Sequence, residues 1–459
     1  MDAAAIAKQA GIVGAGGAGF PTHIKLAAKA DCFIVNAAEC EPLVEVDKFL
    51  VRTRPFDLVS GAVAMAKAVG AGSVVFAIKK VNEREVSCLK TAIAEIDTPG
   101  DSSFANDAPD ISLLCMRSFY PAGDEQIISV LQTGRSVPER GLPLDVGLVV
   151  DNVATVLNYF DACRGKSVTH RVLSVTGAVR EPLMLRVPIG TDVKLCVEAA
   201  GGSAEGSSVV MGGPMMGAFH DSSEVDRLYI KKTDGNILVL PPGNGLYAKS
   251  KMDMLKLRNR ARSACIRCRI CTDLCPRYMT GHNMTPHTVM QNLFRIDSIT
   301  CDTEFEKVFG SAANCSECGV CENYACPMVL SPRRVNALVK QMLRERGIDP
   351  IRNTNPQMRE FFEERLVPTK RLTARLGLAG YKRFTGNELV ELNPARVTIP
   401  LLQHIGMPCV PCVQQGKQVV TGDLIASPPE GKLGANIHAS IDGTVISISN
   451  ESIVLEASS

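Results

Sequence analysis

The spacing of apolar and polar positions changes several times along this chain, and each change predicts a different kind of element. Residues 2–10 are alanine-rich and helix-forming, residues 11–20 are dense in glycine, and a second helix is expected to begin near Pro21. Phe33–Val35 is a short apolar run of strand character. From 166 to 220 the pattern breaks into short β segments, among them Arg171–Gly177 and Leu185–Gly190. It closes on Met211-Gly-Gly-Pro-Met-Met-Gly217, whose glycines suit turns. Helical period returns after Ser331. Ser331 caps, Pro332 takes the first position, Val335, Leu338, Val339, Met342 and Leu343 form one stripe, and Gly347 stops it. Residues 348–395 are charged and proline-containing and read as a partly helical linker. The positions after 395 alternate with period two between Gly406, Gly416, Gly422, Gly431, Gly434 and Gly443, an all-β texture. No stretch reaches the ~18 consecutive apolar residues of a spanning helix, and Met-Asp-Ala-Ala-Ala-Ile-Ala-Lys at the start is no signal peptide. No membrane span and a cytoplasmic location are therefore expected.

Composition adds two constraints. Fifty Lys and Arg against 48 Asp and Glu leave no global charge that points to nucleic acid. Seventeen cysteines in a 459-residue chain without a secretion signal argue for metal ligands, nucleophiles or apolar fillers rather than a disulfide framework. Eight of them lie between Cys265 and Cys326, in two tight groups.

The first group is Cys265, Cys268, Cys271 and Cys275 followed by Pro276, the Cys-x2-Cys-x2-Cys-x3-Cys-Pro run of bacterial two-cluster ferredoxins. The second is Cys315, Cys318, Cys321 and Cys326 followed by Pro327, with one extra residue before the last cysteine. Three thiolates at this spacing wrap one corner of an iron–sulfur cube, and the fourth Cys of each run serves the other cube. The expected ligand sets are Cys265, Cys268, Cys271 and Cys326 for one [4Fe–4S] cluster and Cys315, Cys318, Cys321 and Cys275 for the other. Four-cysteine zinc sites use two Cys-x2-Cys pairs rather than triplets. Upstream, Lys251, Lys256, Arg258, Arg260, Arg262, Arg267 and Arg269 form a basic run. It reads either as a solvated helix face or as a docking patch for an acidic partner such as flavodoxin or ferredoxin.

At the other end, Gly14, Gly16 and Gly19 satisfy G-x-G-x-x-G, with Glu39 twenty residues beyond Gly19. A dinucleotide fingerprint requires a strand immediately before the glycines, and residues 2–10 are helical in character, so a Rossmann reading fails on context. What remains is a glycine-rich loop before a helix, a seat for a phosphate.

Four motifs in order, Gly14-Ala-Gly-Gly-Ala-Gly-Phe-Pro-Thr22 with Lys25, Asn36-Ala-Ala-Glu-Cys-Glu-Pro42, Tyr120-Pro-Ala-Gly-Asp-Glu125 and Asn152-Val-Ala-Thr155, resemble the flavin site of the complex I flavoprotein subunit. The resemblance implies an FMN held by Gly14, Gly16, Gly17, Gly19, Lys25, Asn36, Glu39, Tyr120, Asn152 and Thr155. It also implies that Phe20, Glu41 and Glu125 lie where that family receives NADH. Ala15, Ala38 and Asp124 replace an Arg, an Asp and a Glu of the complex I pattern, departures that touch the nicotinamide site more than the flavin site. Residues 166–220 resemble the ubiquitin-like β-grasp (SLBB) domain of the same family. The C-terminal stretch resembles a barrel-sandwich hybrid, with Ile437–Gly443 where a modifiable Lys would stand. Cys409-Val-Pro-Cys412 within it reads as strand filling or a redox dithiol.

The implied fold is multidomain, α/β and α+β: a complex I flavoprotein-like FMN/NADH domain (1–162), a β-grasp domain (163–220), a connector (221–255), a helical two-[4Fe–4S] ferredoxin domain (256–347), a linker (348–395) and a barrel-sandwich hybrid (396–459). RnfC proteins have these parts with the barrel first. The barrel placed last, Gly281-His282 and Pro286-His287, and the longer gap in the second cysteine run are similar to the PduS-type cobalamin reductases of propanediol-utilising bacteria. That resemblance implies NADH as donor, cob(II)alamin as acceptor, an adenosyltransferase as consumer and microcompartment shell proteins as neighbours. It requires no side-chain acid or base in the chemistry. RnfC-like transfer to another acceptor, and a non-enzymatic wiring role, remain as alternatives.

Overall fold

The computed structural model describes residues 2–96 and 109–458. Its N-terminal unit is built on β1 (Cys32–Ala37), β2 (Ser73–Lys79), β3 (Asp110–Met116), the two-residue β4 (Phe119–Tyr120) and β5 (Leu148–Asn152). Four of these form a parallel sheet in the order β3-β2-β1-β5. β1 and β2 read as near-continuous apolar runs because helices cover both faces of a parallel sheet, and Phe33, Ile34 and Phe76 are fully buried. The order reverses between β1 and β5, the point outside whose strand ends open α/β sheets bind their ligands. Asn36 and Asn152, each near the end of its strand, face each other in register there. The glycine loop lies beside that point, after the helix Ala3–Gln9 and before the helix Thr22–Leu26.

The next sheet contains β6 (His170–Gly177), β7 (Leu183–Pro188), β8 (Ser208–Met211), β9 (Ala218–His220) and β10 (Asn236–Leu240). β10 lies between β6 and β8 and is buried along its whole length. It falls inside 221–255, so that stretch is not merely a connector and the β-grasp unit runs to Leu240. Asn-Ile-Leu-Val-Leu shows no alternation because a central strand is covered on both faces.

The linker is equally tied down. β11 (Val367–Pro368) pairs with β4, the helix Thr369–Arg375 follows, and β12 (Val390–Glu391) adds an edge to β7. Before it, the ferredoxin unit packs helices Met254–Ala264, Pro286–Asn292, Asp302–Phe309 and Pro332–Glu345 around Leu293, Phe305, Phe309, Val335 and Val339. Gly347 at φ +68° ends the last helix as expected.

The C-terminal β unit closes onto the N-terminal one rather than standing apart. Ile405 N donates to Gly19 O of the glycine loop (2.9 Å), and the buried Lys232 ammonium donates to Gly11 O (2.7 Å) and Asn436 O (2.5 Å). Burial pushes that ammonium down to about 7, and it docks the barrel through these two backbone carbonyls. Ser440 Oγ donates to Ile189 O, so the 437–443 segment faces the β-grasp unit instead of presenting an arm. Cys409 is buried and Cys412 exposed, on opposite sides of a short strand, which favours filling over a dithiol. Among the described residues no helix is long and apolar enough to cross a membrane.

Candidate flavin and iron–sulfur sites

The glycine loop is closed by Gly14 N donating to Phe20 O (2.8 Å) and Gly19 N to Gly14 O (3.0 Å). Gly17, at φ +108°, takes a conformation that a side chain would strain, and a Cβ on Gly16 would lie 3.3 Å from that of Asn152. The loop can therefore lie directly over the end of β5. Thr155 Oγ1 accepts from Ala15 N (2.9 Å), and the Arg171 guanidinium of the β-grasp unit donates to Ala15 O.

Around this loop the structure gathers most residues of the flavin motifs. Asn36 Nδ2 donates to Gly123 O (2.8 Å), joining the second motif to the third. Asn152 Nδ2 donates to Asp47 Oδ2 (2.7 Å). Lys25 Nζ sits 3.2 Å from Asp151 and 3.5 Å from Glu125. Burial lowers the Lys25 pKa, but these carboxylates outweigh it and hold the ammonium above its usual value. Glu39 Oε1 accepts from Glu41 N, and burial raises its carboxyl. Asp47 is pushed up to about 7 by burial and then by Glu39. Thr22 Oγ1 and Asp151 Oδ2 are buried without a protein partner. An open glycine cradle, orphaned polar atoms and a charged lysine at a strand-order reversal suit a phosphate-bearing polar ring system. FMN fits these residues.

Two residues expected near the ring or the dinucleotide do something else as well. Glu41 is half-buried, and both carboxyl oxygens accept from the β-grasp loop, Oε2 from Met215 N (2.9 Å) and Oε1 from Met216 N (3.0 Å). A Cβ on Gly213 would lie 2.4 Å from the Glu41 carboxyl carbon, so that loop needs glycine to close over it. Burial, then Glu39, pushes Glu41 up to about 8. A carboxyl whose folded pKa exceeds its ordinary value near 4.5 favours the fold below that value and loses the contribution as pH rises toward 8. The melting temperature is therefore expected to fall between about pH 4.5 and 8, and Glu41→Gln to flatten part of that fall. An unchanged pH profile in the variant would remove Glu41 from the account. Tyr120, for its part, donates through its hydroxyl to Cys318 O (2.8 Å) inside the second cysteine loop.

The structure brings the eight cysteines together in two groups. Cys265, Cys268 and Cys271 line one small cavity together with Cys326, closed by Met290 and Leu330. Burial first, then Cys265, Cys268 and Cys326, pushes the Cys271 thiol up to about 12. Cys275 is buried and raised by burial and then by Cys318 and Cys315. Cys321 is raised by burial, Cys315, Cys318 and Cys275. Four thiols gathered around one small space form a donor set that iron cations stabilise as thiolates. The two sets fit one [4Fe–4S] cluster each.

Local backbone explains the spacing. Arg267 and Arg269 flank Cys268 at φ +58° and +67°, and Glu317 and Gly319 flank Cys318 at +58° and +81°. The same left-handed pair bends each triplet around a corner, at a cost for the non-glycine members. The extra residue of the second run is taken up by a π turn over Cys321–Ala325, whereas Ile270–Asp273 makes an ordinary α turn.

The second set is the one seated on the flavin unit. Besides Tyr120, Asp124 pairs with Arg277 at 2.8 Å while its carboxylate caps the helix Glu125–Thr133. Arg333 Nη1 donates to Met215 O (2.7 Å). His282 Nε2 lies 2.9 Å from Val137 O, and His287 Nδ1 lies 2.7 Å from Thr272 Oγ1. Sequence reasoning missed Arg277, Arg333, Asp47 and Arg171. The one local signal was that Arg277 directly follows Cys275-Pro276. The basic run is partly neutralised: Arg258 and Arg262 share Asp297, and Arg269 pairs with Asp273.

Residues 7–161 match the Nuo51 FMN-binding domain family, 172–219 the SLBB domain, 264–331 the 4Fe-4S dicluster domain and 378–458 the RnfC barrel sandwich hybrid domain. The chain is 38% identical over 450 residues to cobalamin reductase PduS of Citrobacter freundii, covering 98% of this chain and 95% of that protein. It is 40% identical over 453 residues to PduS of Salmonella typhimurium, with the same coverage. One component of the proton-translocating ferredoxin:NAD(+) oxidoreductase complex of Clostridium ljungdahlii is 31% identical over 60% of this chain and 55% of that protein. A chain of NAD+-reducing [NiFe]-hydrogenase in the H2-reduced state shares the fold at 19% identity and a TM-score of 0.50, over 80% of this chain and 62% of that one.

Proposed function

We infer that this chain, which belongs to the PduS family of cobalamin reductases, passes electrons from NADH by way of FMN and two [4Fe–4S] clusters to cob(II)alamin. It is an oxidoreductase with an FMN-binding domain and a 4Fe–4S dicluster domain. The observation that carries the reading is the seat of the Cys275, Cys315, Cys318 and Cys321 set against the flavin motifs, through Tyr120 to Cys318 O and Asp124 to Arg277. Two contacts thus join the flavin motifs to that cysteine set.

Bound FMN would supply the two-electron to one-electron conversion that lets a hydride donor feed one-electron clusters. The residues supply position and electrostatics. Gly16 and Gly17 let backbone approach a phosphate, Lys25 keeps a positive charge beside it, and Asn36 and Asn152 fix the floor at the strand ends. Glu41, accepting from the Met215 and Met216 amides, fastens the β-grasp loop to the flavin unit. No side chain needs to form a bond to substrate. One NADH would reduce two cob(II)alamin to cob(I)alamin and release one proton, and an adenosyltransferase, within a shell-enclosed compartment, would consume the product.

The test is anaerobic NADH oxidation by the reconstituted protein with cob(II)alamin as the sole acceptor. Appearance of cob(I)alamin at two per NADH is expected. NADH oxidation that proceeds only with an added flavodoxin or ferredoxin would transfer the function to another acceptor.

A further inference from the structure

Between the β-grasp and ferredoxin units lies an open cavity of about 380 Å³, lined by Met216, Phe219, Lys251, Glu317, Arg333 and Arg334 among others. None of the flavin motifs or cluster cysteines lines it. We propose that this cavity binds the anionic nucleotide tail of the corrinoid, its phosphodiester on Arg334 and Lys251 and its aromatic base on Met216 and Phe219. The proposal rests on cobalamin being the acceptor.

The charges around the cavity set the class of ligand. Arg333 faces Glu322 (3.2 Å), Lys251 faces Glu224 (3.5 Å), and Glu317 faces Lys340 (3.7 Å). Arg334 donates to Lys249 O (3.2 Å) and, among the described residues, makes no ion pair. Glu322 is shared with Lys249 (4.0 Å), so the mouth carries an excess of positive charge with Arg334 its unpaired guanidinium, suited to a phosphodiester, which Arg binds through paired N–H groups. Met216 is 59% exposed at the same mouth, an apolar surface that a flat ring would cover. Position favours an electron acceptor over an unrelated anion. Glu317 stands between Cys315 and Cys318, and Met216 adjoins Met215, which contacts Arg333 and Glu41. A tail anchored here leaves the cobalt-bearing ring outside, next to the cluster loop.

A pyrophosphate of the dinucleotide shares this chemistry, so the experiment separates the two. Holoenzyme is assayed with cob(II)alamin and with cob(II)inamide, which lacks the nucleotide tail, in the native form and in Arg334→Ala and Arg334→Lys. The expected result is a KM for cob(II)alamin raised about tenfold in Arg334→Ala and partly restored in Arg334→Lys, with kcat held. The KM for cob(II)inamide should start higher and move less than about twofold. Equal KM values for both corrinoids in the native enzyme, or equal shifts in the variant, overturn the proposal. A raised KM for NADH in their place assigns the cavity to the dinucleotide and also overturns it. Should neither corrinoid be reduced, the functional reading fails. Equilibrium dialysis of cyanocobalamin against dicyanocobinamide then decides the cavity: tail-dependent binding lost in Arg334→Ala upholds it, and no difference ends it.

Discussion

In Cys315→Ala, reduction of a small artificial dye by NADH is expected to persist while reduction of cob(II)alamin falls by about a hundredfold or more. Cys315 belongs to the set seated on the flavin unit, and its replacement removes one of four thiols without opening the Tyr120 or Arg277 contacts, which involve Cys318 O and a separate helix. Iron should drop from about eight per chain toward about four, because the Cys265, Cys268, Cys271 and Cys326 cavity keeps all its ligands. The flavin domain has its own sheet and core and should keep its fold. A dye small enough to meet the flavin directly needs no cluster, whereas the proposed route to cob(II)alamin runs through both clusters. A general folding defect would depress both activities together, so the contrast is the readout. Normal cob(II)alamin reduction in a variant shown to lack that cluster would take it off the path.

Lys25→Ala is expected to abolish FMN retention and to destabilise the flavin domain by about 3–5 kcal/mol, the usual cost of removing one partner from a buried pair. Asp151 is almost wholly buried, its second oxygen has no protein partner, and Lys25 is the only cation in an ion pair with it among the described residues. The double variant Lys25→Met, Asp151→Asn removes the stranded charge and should recover most of the stability, since a neutral pair is cheaper to bury than a lone carboxylate. FMN affinity should not return, because the positive charge offered to the phosphate is still missing. A double variant that binds FMN as tightly as the native chain would make Lys25 a structural partner of Asp151 and nothing more.

Much of the molecule was legible in the chain because the relevant chemistry is local in sequence. Triplets of cysteine at x2 spacing suit a cube corner, and the left-handed residues beside Cys268 and Cys318 accompany that spacing. The glycine loop, the strand at Phe33 and the helix from Pro332 to Gly347 follow from short-range sterics and periodicity, and each stands where the pattern put it. The assignment of 221–255 as a connector failed because β10 is two-sided core whose partners, β6 and β8, lie outside the window in which a period is read. The strap from 348 to 395 gave no sign of its pairing, since two-residue strands such as β11 and β12 carry no pattern of their own.

Tertiary structure alone decided which parts meet. Sequence determined that Tyr120, Asp124, Glu41 and Lys25 are polar residues in flavin motifs. Only the packed chain joined Tyr120 to Cys318, Asp124 to Arg277, Glu41 to the Met215 loop and Lys25 to Asp151, and set Arg334 at a cavity mouth without an acidic partner. Those contacts span up to 198 residues of chain. A hydrogen bond or ion pair in the interior depends on burial and on the position of a distant partner, and neither quantity is encoded in the spacing around a single residue.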